Sequence, residues 1–292
     1  MIKIAAIIPT FNRKEHLRNV LVDLYNQILN NSKIEIIAIV DGSSDGTLEM
    51  LKGEYPEVHI IQGTGNWWYT KCINEGIKYA QSLKAYYFLT LNDDIRFDSC
   101  YIKNLLEVIY KEGEDCIVGS VSYTLSEPHR ITFGGIKKII KWRMKEINYY
   151  RKFTKIKPNM LSGYKPTVNL SGRGVLFPIR LIEKIGYYDE KLVQYGSDTD
   201  FTYRAYKAGI KTFVSYDARI FENEKLTGKG MAYNNPLLSE FIKSYFNRYS
   251  NNSIKKNIYY YFKHGNVILL PLYIGIMVLA AIRVYFFKYK GL

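Results

Sequence analysis

The chain has 292 residues, of which 47% are hydrophobic and 23% are charged, and this balance excludes disorder as the overall state. Its length suffices for one large α/β domain or two small ones. Lysine and arginine number 41 against 27 acidic residues, and the resulting net charge of +14 favours anionic partners: nucleic acid, acidic lipid headgroups or phosphorylated small molecules.

Strand-like and helix-like segments alternate along the first 125 residues. Apolar runs predict strands at 2–8, 34–40, 58–61, 86–91 and 116–121, and helical spacing predicts helices at 14–29, from 47, at 70–82 and at 99–111. This alternation predicts a parallel sheet with helices on both faces. Ligands of such sheets bind beyond the carboxyl ends of the strands, which selects the polar loops 9–13, 41–45 and 92–95.

After about residue 125 the alternation weakens. The segment 131–136 predicts a strand with a glycine turn, and 166–178 predicts two strands around another glycine turn. Helices are expected at 178–185 and 197–208, followed by a strand at 212–216. At the other end of the chain, the first apolar run stops at Pro9, which is too short for a signal peptide.

Two regions outside the predicted sheet point to a membrane surface. Residues 137–157 carry nine Lys or Arg residues against one Glu, interleaved with aromatic residues. This suits a membrane interface, single-stranded nucleic acid or simply a solvated basic loop or helix. An apolar helix is expected at 267–287, uncharged up to Arg283. We expect it to anchor the protein in the plane of a membrane or by marginal insertion; a buried core helix and a single span are the alternatives.

Acidic residues occupy two of the three selected loops. Asp41 and Asp45 follow the second strand, and Asp93 and Asp94 follow the fourth. Carboxylates facing one crevice are costly unless a cation lies between them. Mg²⁺ takes one or two carboxylates and completes its shell with water and substrate phosphate. The alternative for each pair is a turn or helix cap.

Zinc is not expected as the metal. The three cysteines are far apart and form no CxxC pair, and the four histidines show no ligand spacing. A GxGxxG after the first strand and a Walker loop are both missing from the sequence.

The segment 195–209 predicts a helix with acidic residues in its first turn. Ser197 and Asp200 resemble a capping box, with Asp in place of Glu or Gln. A capping role would explain Asp200 but would not explain the second acid, Asp198. An ionised Asp can serve as a general base for an alcohol where the geometry is close and water is excluded.

Two glycine-containing segments offer groups for a nucleotide. In 63–80, Trp67 and Trp68 would either anchor the core or stack on a base or sugar ring, and Lys71 can meet phosphate. In 171–178, Arg173 lies between two glycines, where backbone amides can approach an anion.

Seven segments, taken together and in order, resemble glycosyltransferase family 2, the inverting nucleotide-sugar enzymes with a GT-A fold. They are IIPTFNR (7–13), VDGSSDGT (40–47), GNWWYTKCINEGI (65–77), LNDD (91–94), SGRGVLFP (171–178), IGYYDE (185–190) and YGSDTDFTYRAYKAG (195–209). They span about residues 1–225. The GNWW segment resembles a bacterial branch of rhamnosyl-, galactosyl- and galactofuranosyltransferases of surface polysaccharides. The resemblance implies an α/β fold with a mostly parallel, Rossmann-like sheet flanked by helices.

The resemblance also implies roles at single positions. Asp198 would be the catalytic base that deprotonates the acceptor hydroxyl, with Asp200 and Trp67 supporting the site. Asp94 would hold Mg²⁺ or Mn²⁺ at the diphosphate, where the metal acts as a Lewis acid. Donor-binding positions would be Pro9, Thr10, Asp41 (on the base), Asn66, Trp68, Lys71, Asn92, Asp93 and Arg173.

The sequence departs from the family pattern at three places. Asn92 stands where the first acid of the DxD motif often lies, and Ser197 replaces the usual Glu before the base. The segment 218–230 has no histidine where many relatives place a ligand for metal or diphosphate; Glu222, Asn223 and Glu224 are candidates to replace it.

The resemblance implies a UDP- or dTDP-linked sugar donor, a glycan or lipid-linked glycan acceptor and a membrane surface as partners, but no nucleic acid. The expected location is the cytoplasmic face of the cell membrane. We expect a GT-A catalytic domain at 1–235, with a nucleotide-sugar-binding half at 1–125 and an acceptor half at 126–235, and a helical C-terminal extension at 236–292.

The sequence leaves three other functions as alternatives. A nucleotidyltransferase is also α/β with paired acids, but it would need a glycine-rich basic loop after strand one, which is missing here. A basic nucleic-acid binder leaves the acidic loops unexplained. A non-catalytic sugar-nucleotide binder has the same pattern as the enzyme.

Overall fold

The computed structural model describes residues 1–223 and 237–289, with only the backbone of residues 288 and 289. The elements, in chain order, are β1 (Ile2–Thr10), α1 (Lys14–Tyr25), β2 (Ser32–Val40), α2 (Thr47–Glu54), β3 (His59–Gln62), α3 (Trp68–Ser82), β4 (Tyr87–Thr90), β5 (Ile95–Arg96), α4 (Tyr101–Glu112), β6 (Ile117–Thr124), β7 (Ile131–Phe133), β8 (Ile136–Ile140), β9 (Lys145–Asn148), β10 (Tyr164–Pro166), β11 (Val175–Pro178), α5 (Leu181–Ile185), α6 (Ser197–Lys207), β12 (Thr212–Glu222), α7 (Leu238–Phe246), α8 (Ile254–His264) and α9 (Leu270–Arg283). Short 3₁₀ turns lie at Lys141–Arg143, Pro158–Met160 and Val267–Leu269, and a π-helical segment, Val284–Tyr289, continues α9.

Within the described ranges, a ten-stranded sheet forms the centre of the fold. Its strands run in the order β10-β12-β6-β11-β4-β1-β2-β3, with β5 paired to β12 and β7 to β6. The strands β4, β1, β2 and β3 are mutually parallel, whereas β11 is antiparallel to both its neighbours. The predicted α/β fold with a mostly parallel sheet is therefore confirmed.

Strand β1 shows why the sheet carries helices on both faces. Ile4, Ala6 and Ile8 belong to the hydrophobic cluster on one face, and Ala5 and Ile7 belong to the cluster on the other. All five are completely buried. A strand that buries both faces reads as a continuous apolar run, which is the pattern that predicts this strand in the sequence.

Helix α3 packs unusually close to this strand. A β-carbon at Gly76 would lie 2.4 Å from Ile7 Cγ2 and 3.2 Å from Ile39 Cδ1. Only glycine therefore allows α3 to approach β1 and β2 at this distance. Since α3 begins at Trp68, its position on the sheet also sets that of the loop that precedes it.

Several predicted elements differ from the structure. Strand β12 extends to Glu222 instead of ending at 216, because a bulge between Ser215 and Arg219 re-registers the strand against β6. The segment 166–178 contains one strand, β11, after β10 has ended at Pro166. The basic stretch is neither a loop nor a helix at its start: β8 and β9 form an antiparallel hairpin.

The C-terminal helices α7, α8 and α9 follow the sheet. The run Val267–Phe287 has 21 residues and a mean hydropathy of 2.4, and none of its most apolar window is buried. The predicted apolar helix is thus present and exposed, which contradicts the alternative of a buried core helix. The proposed boundary at 235–236 and the candidate Glu224 lie outside the described residues.

The close approach at Gly76 predicts opposite effects for two glycine-to-alanine substitutions. Gly76→Ala is expected to lower the free energy of unfolding by about 1–3 kcal/mol, because the methyl group overpacks against Ile7. Gly53→Ala in α2, where a β-carbon meets nothing within 4 Å, is expected to raise it by about 0.5–1 kcal/mol. Thermal and urea unfolding measure both. A stabilised Gly76→Ala would contradict this packing.

Candidate active site

Two adjacent carboxylates, Asp93 and Asp94, are buried where β4 leads into β5. Because β1 and β4 are parallel neighbours, their carboxyl ends meet at one edge. Thr10 Oγ1 donates a hydrogen bond to Asp93 Oδ2 at 2.9 Å. Arg13 Nη1 lies 2.9 Å from Asp93 Oδ1 and 3.0 Å from Asp94 Oδ2. One guanidinium therefore pairs with both carboxylates and compensates one of their two negative charges.

The two acids differ in what they still require. Burial raises the pKa of Asp93 to about 6, against the opposing effect of Arg13 and with a further increase from Asp94. Asp94 Oδ1 is buried and has no hydrogen-bond partner among the described residues. An unpaired buried carboxylate oxygen is costly, and a hard cation satisfies it.

This arrangement fits a divalent ion held by few protein ligands. Among residues 1–223 and 237–289 no group of three His, Cys, Asp or Glu side chains is placed to hold a metal. A cation at Asp94 would therefore complete its shell with water and with phosphate oxygens, as Mg²⁺ commonly does.

Asp41 organises the loop before α3. Its carboxylate accepts hydrogen bonds from the backbone amides of Gly65 at 2.7 Å and of Trp67 and Trp68 at 2.9 Å each. A β-carbon at Gly63 would lie 2.4 Å from Asp41 Oδ1, so the loop wraps directly around this carboxylate. A carboxylate has roughly four acceptor positions, and the three amides leave about one for a ligand.

The two tryptophans of this loop have different surroundings. Trp68 has φ +58°, which is strained for a bulky residue. Its ring stacks on that of Tyr249, with centroids 4.0 Å apart and planes 14° from parallel. Lys71 Nζ lies 5.0 Å from the centroid of the Trp67 ring. Trp68 is 36% exposed, which leaves part of it open to a ligand.

Asp198 lies in the first turn of α6 and faces the glycine turn before β11. Its Oδ2 accepts a hydrogen bond from the Gly172 amide at 2.8 Å, and the Tyr69 hydroxyl donates to the Gly172 carbonyl at 3.2 Å. A β-carbon at Gly172 would lie 2.2 Å from the Tyr69 hydroxyl oxygen. Glycine is therefore required for the loop to reach Asp198.

Arg173 connects the two acidic regions. Burial lowers its pKa, and the carboxylates of Asp94 and Asp198 act in the opposite direction. Its guanidinium also forms an ion pair with the buried carboxylate of Glu222, at the end of β12. The cation thus lies within electrostatic reach of both the Asp94 loop and the start of α6.

The end of β12 reaches the region where the expected histidine is missing. Glu222 pairs in the sheet with Ile95, and the Asn223 amide donates to the Asp94 carbonyl at 3.3 Å. Glu222 is engaged by Arg173, so its charge is already partly neutralised.

The predicted capping role of Asp200 is wrong. The residue before α6 is Gly196, at φ +91°, with no side-chain cap, and the Ser197 hydroxyl accepts instead from Thr70. Asp200 is completely buried and is bound by Arg204, Lys263 and His264. The charged partners Arg204 and Lys263 bind a buried carboxylate more strongly than the helix amides do. Although burial opposes it, hydrogen bonds from His264 and Lys263 lower the pKa of Asp200 to about 2.

The structure brings most of the predicted residues into one connected set. Asp41 follows β2, Trp67 lies in the loop before α3, and Trp68 and Lys71 lie in the first turn of α3. Asn66 is exposed beside them. Pro9 is half-buried in β1 next to Ile39, and Asn92 is half-buried directly before Asp93. The set that surrounds the two acidic regions is Thr10, Asp93, Asp94, Arg173 and Asp198.

Sequence reasoning missed Arg13, Tyr69 and Tyr249. Arg13 ends the IIPTFNR segment, so a basic residue opposite two acids was the available signal. Tyr249 lies 181 residues after Trp68 in the numbering, and no local pattern links them.

A family model and curated proteins match the chain. A family model described as Glycosyl transferase family 2 matches residues 5–171, more than half of the chain. The low-salt glycan biosynthesis hexosyltransferase Agl10 of Haloferax volcanii is 24% identical over 210 residues, 71% of this chain and 62% of that protein. The dolichol-phosphate mannosyltransferase of Pyrococcus furiosus is 31% identical over 121 residues, 40% of this chain and 33% of that protein. The chain thus spans less than two thirds of either relative.

Solved structures share the fold. The crystal structure of GalNAc-T7 with UDP, GalNAc and Mn²⁺ has a TM-score of 0.64 at 15% identity, over 96% of this chain and 58% of that one. Staphylococcus aureus TarS 1–349 in complex with UDP has a TM-score of 0.54 at 17% identity, over 76% and 60%. At these identities the likeness concerns the fold alone.

The raised pKa of Asp93 predicts a pH dependence of stability. A carboxyl whose pKa is higher in the folded than in the unfolded state loses its contribution as the pH rises from about 4 to about 6. The effect of Asp93→Asn on the free energy of unfolding of the metal-free protein is therefore expected to be more stabilising at pH 7 than at pH 4. The difference between the two effects should be on the order of 2–3 kcal/mol. Urea unfolding at both pH values measures this.

The exposed Asp98 supplies the control, Asp98→Asn, for the removal of one carboxylate. If Asp93→Asn changes stability equally at both pH values, the buried environment inferred for Asp93 is contradicted.

Proposed function

Because the chain belongs to glycosyl transferase family 2, we propose that it transfers a sugar from a nucleotide-diphosphate sugar to a hydroxyl of a glycan acceptor, with inversion at the anomeric carbon. One observation carries the proposal: Asp94, with an unpartnered oxygen, and Asp198 both act on Arg173. A cation site for a diphosphate and a carboxylate base would thus lie within reach of one sugar.

The donor's diphosphate would be bound by a metal ion and by basic side chains. Asp94, with Asp93 beside it, would hold Mg²⁺ or Mn²⁺, and the ion would neutralise the charge of the leaving diphosphate. Mn²⁺ and UDP in the GalNAc-T7 structure support this choice of ion and ligand. Arg173 and Lys71 would add positive charge, and Thr10 and Asn92 would contact the nucleoside.

The nucleoside would lie against the loop that Asp41 organises. The remaining acceptor position of this carboxylate suits a base with a ring N–H donor, as uracil and thymine have. Together with the UDP of the two structural neighbours, this supports a UDP- or dTDP-linked donor. The exposed part of Trp68, with Pro9 and Asn66, would bound the base and the sugar, and Trp67 would support the loop.

Asp198 would act as the general base. Its Oδ2 is engaged by the Gly172 amide, so Oδ1 would accept the proton of the acceptor hydroxyl as this oxygen attacks the anomeric carbon. The bond from that carbon to the diphosphate breaks in the same step, and its electron pair leaves with the diphosphate. A single displacement of this kind inverts the anomeric configuration.

The acceptor is proposed to be a lipid-linked glycan at the cytoplasmic face of a membrane, in bacterial surface polysaccharide synthesis. Two features support membrane association. The α9 run is apolar and exposed, and the basic hairpin lies beside it: the Tyr261 hydroxyl of α8 donates to the Trp142 carbonyl at 2.7 Å, and the same ring stacks on Tyr273 of α9. Apolar and cationic groups side by side suit an anionic lipid surface.

We also propose the division of the chain that the sequence predicts. A catalytic domain would cover 1–235, with a donor half at 1–125 and an acceptor half at 126–235, and a helical extension would begin at 236.

Two substitutions test the chemistry. Asp198→Asn is expected to lower the rate of transfer or donor hydrolysis by roughly 10²–10⁴-fold, because it removes the base. Asp94→Ala is expected to remove the Mn²⁺-dependent rise in melting temperature that a bound donor causes. A panel of UDP- and dTDP-sugars, assayed for nucleotide release and thermal shift with and without Mn²⁺, measures both. Asp98→Asn is the matched control. Wild-type activity in both variants would refute the proposal.

Charged substitutions on α9 test the proposed association with a membrane. Leu272 and Leu279 are 51% and 67% exposed, so the double substitution to Glu should leave the fold intact. It is expected to abolish cosedimentation with vesicles containing anionic lipid, since each charge costs about 2.5–3.5 kcal/mol in hydrocarbon. Val22→Glu, at a 42% exposed position of α1, is the control. Unchanged vesicle binding of the double variant would contradict the role of α9.

A further inference from the structure

One face of α8 covers the start of α6, the helix that carries Asp198. The contacting residues of α8 recur at helical spacing, at positions 256, 263 and 264. Lys256 Nζ lies 6.0 Å from the ring centroid of Tyr195, two residues before α6, and Lys263 and His264 both contact Asp200. The residues on both sides of the first turn are thus held by α8.

The strongest of these contacts is the bond to Asp200. His264 Nε2 and Lys263 Nζ each lie 2.7 Å from Asp200 Oδ1, and Arg204 Nε lies 2.8 Å from Oδ2. Only Arg204 belongs to α6 itself. Asp200 is completely buried, and loss of one partner from a buried carboxylate leaves charge that solvent does not compensate.

His264 contacts α6 a second time, two turns further on. Lys207 Nζ lies 2.8 Å from His264 Nδ1. Because an ammonium only donates, Nδ1 accepts, and Nε2 carries the proton that it donates to Asp200. The imidazole is therefore neutral, and burial and the charge of Lys207 lower its pKa. The rings of Tyr203 and Tyr260 pack against it, with centroids 5.1 and 4.8 Å away. The histidine bridges two points on one face of α6.

We propose that His264 and Lys263 are positioning residues, which hold the first turn of α6 through Asp200 and so direct Asp198 at the acceptor. The proposal rests on the proposed function for its catalytic consequence. Asp198 is two residues before Asp200, and its Oδ2 accepts a hydrogen bond from the Gly172 amide in the turn before β11. A displaced first turn would move the base relative to that loop. Small misplacements of a catalytic group cost up to about 10²-fold in rate.

The same helix leads into the apolar segment. Only residues 265–269 separate His264 from α9, so the membrane-facing part of the chain is joined almost directly to the residues that hold α6. The C-terminal helices are, on this proposal, a component of the active site and not only an anchor.

Kinetics of the full-length protein test the proposal. His264→Phe keeps a ring but removes both hydrogen bonds, and Lys263→Met removes the charge. Both are expected to lower kcat for release of UDP from UDP-sugars with Mn²⁺ by on the order of tenfold to hundredfold. The donor KM is expected to change less than about twofold, because His264 and Lys263 pair with Asp189, Asp200 and Lys207, which are not among the residues proposed to bind the donor. His264→Gln, which keeps an N–H donor for Asp200, is expected to recover most of the rate.

Lys255→Met removes a charge from the exposed face of α8 and should retain wild-type kcat. An unchanged kcat in His264→Phe and Lys263→Met would overturn the proposal. So would a loss in His264→Phe that His264→Gln does not recover. If His264→Phe does not fold, as judged by circular dichroism, Lys263→Met and His264→Gln decide.

Amide hydrogen exchange separates this proposal from the proposed function. Exchange of residues 196–202 is expected to rise in His264→Phe or Lys263→Met and to stay unchanged in Lys255→Met, with α3 as the internal reference. If the wild type releases no nucleotide from any donor, the proposed function fails, and the exchange result still decides the positioning role. Equal protection of 196–202 in every variant would refute it.

Discussion

The need to compensate negative charge buried at the carboxyl edge of the sheet organises this site. Asp93 and Asp94 are adjacent and nearly inaccessible, so they repel each other in a low-dielectric environment. Arg13 and Thr10 satisfy three of their four oxygens. The fourth, Asp94 Oδ1, has no partner in the described part of the chain. Although the protein has a net charge of +14, the position next to Asp94 Oδ1 thus favours a cation.

The acids around this edge differ in how much of their hydrogen-bonding capacity the protein itself uses. Asp41 accepts three backbone amides and shapes the loop before α3. Asp200 is fully occupied by three cationic or neutral donors. Among the described residues, Asp94 keeps one oxygen without a hydrogen-bond partner, and the negative charges of Asp94 and Asp198 both raise the pKa of Arg173 against the effect of its burial. The hydrogen bonds at each carboxylate therefore show that Asp200 has a structural role, that Asp41 keeps about one acceptor position, and that Asp94 is the acid with a buried, unpartnered oxygen among the described residues.

The C-terminal helices combine two roles that the sequence presents as separate. Helix α9 is apolar and exposed, while α8 contacts the start of α6. The stack of Trp68 on Tyr249, between α7 and α8, adds a further contact with the loop before α3. The C-terminal helices and the segment between α7 and α8 are accordingly in contact with the loop before α3 and with α6.

The sequence alone determined the alternation of strands and helices, the polar loops that follow β1, β2 and β4, and the family, because these depend on local periodicity and on residues close together in the chain. It placed Asp93 and Asp94 correctly at a buried strand end but could not show which oxygen lacks a partner. Tertiary structure decided the rest. The extension of β12 depends on a bulge against β6, and Asp200 is bound by residues 63 and 64 positions later in the chain. The propensity of Asp200 to cap a helix depends on neighbouring residues in the chain. Its contact with Lys263, in contrast, forms only when α8 packs on α6.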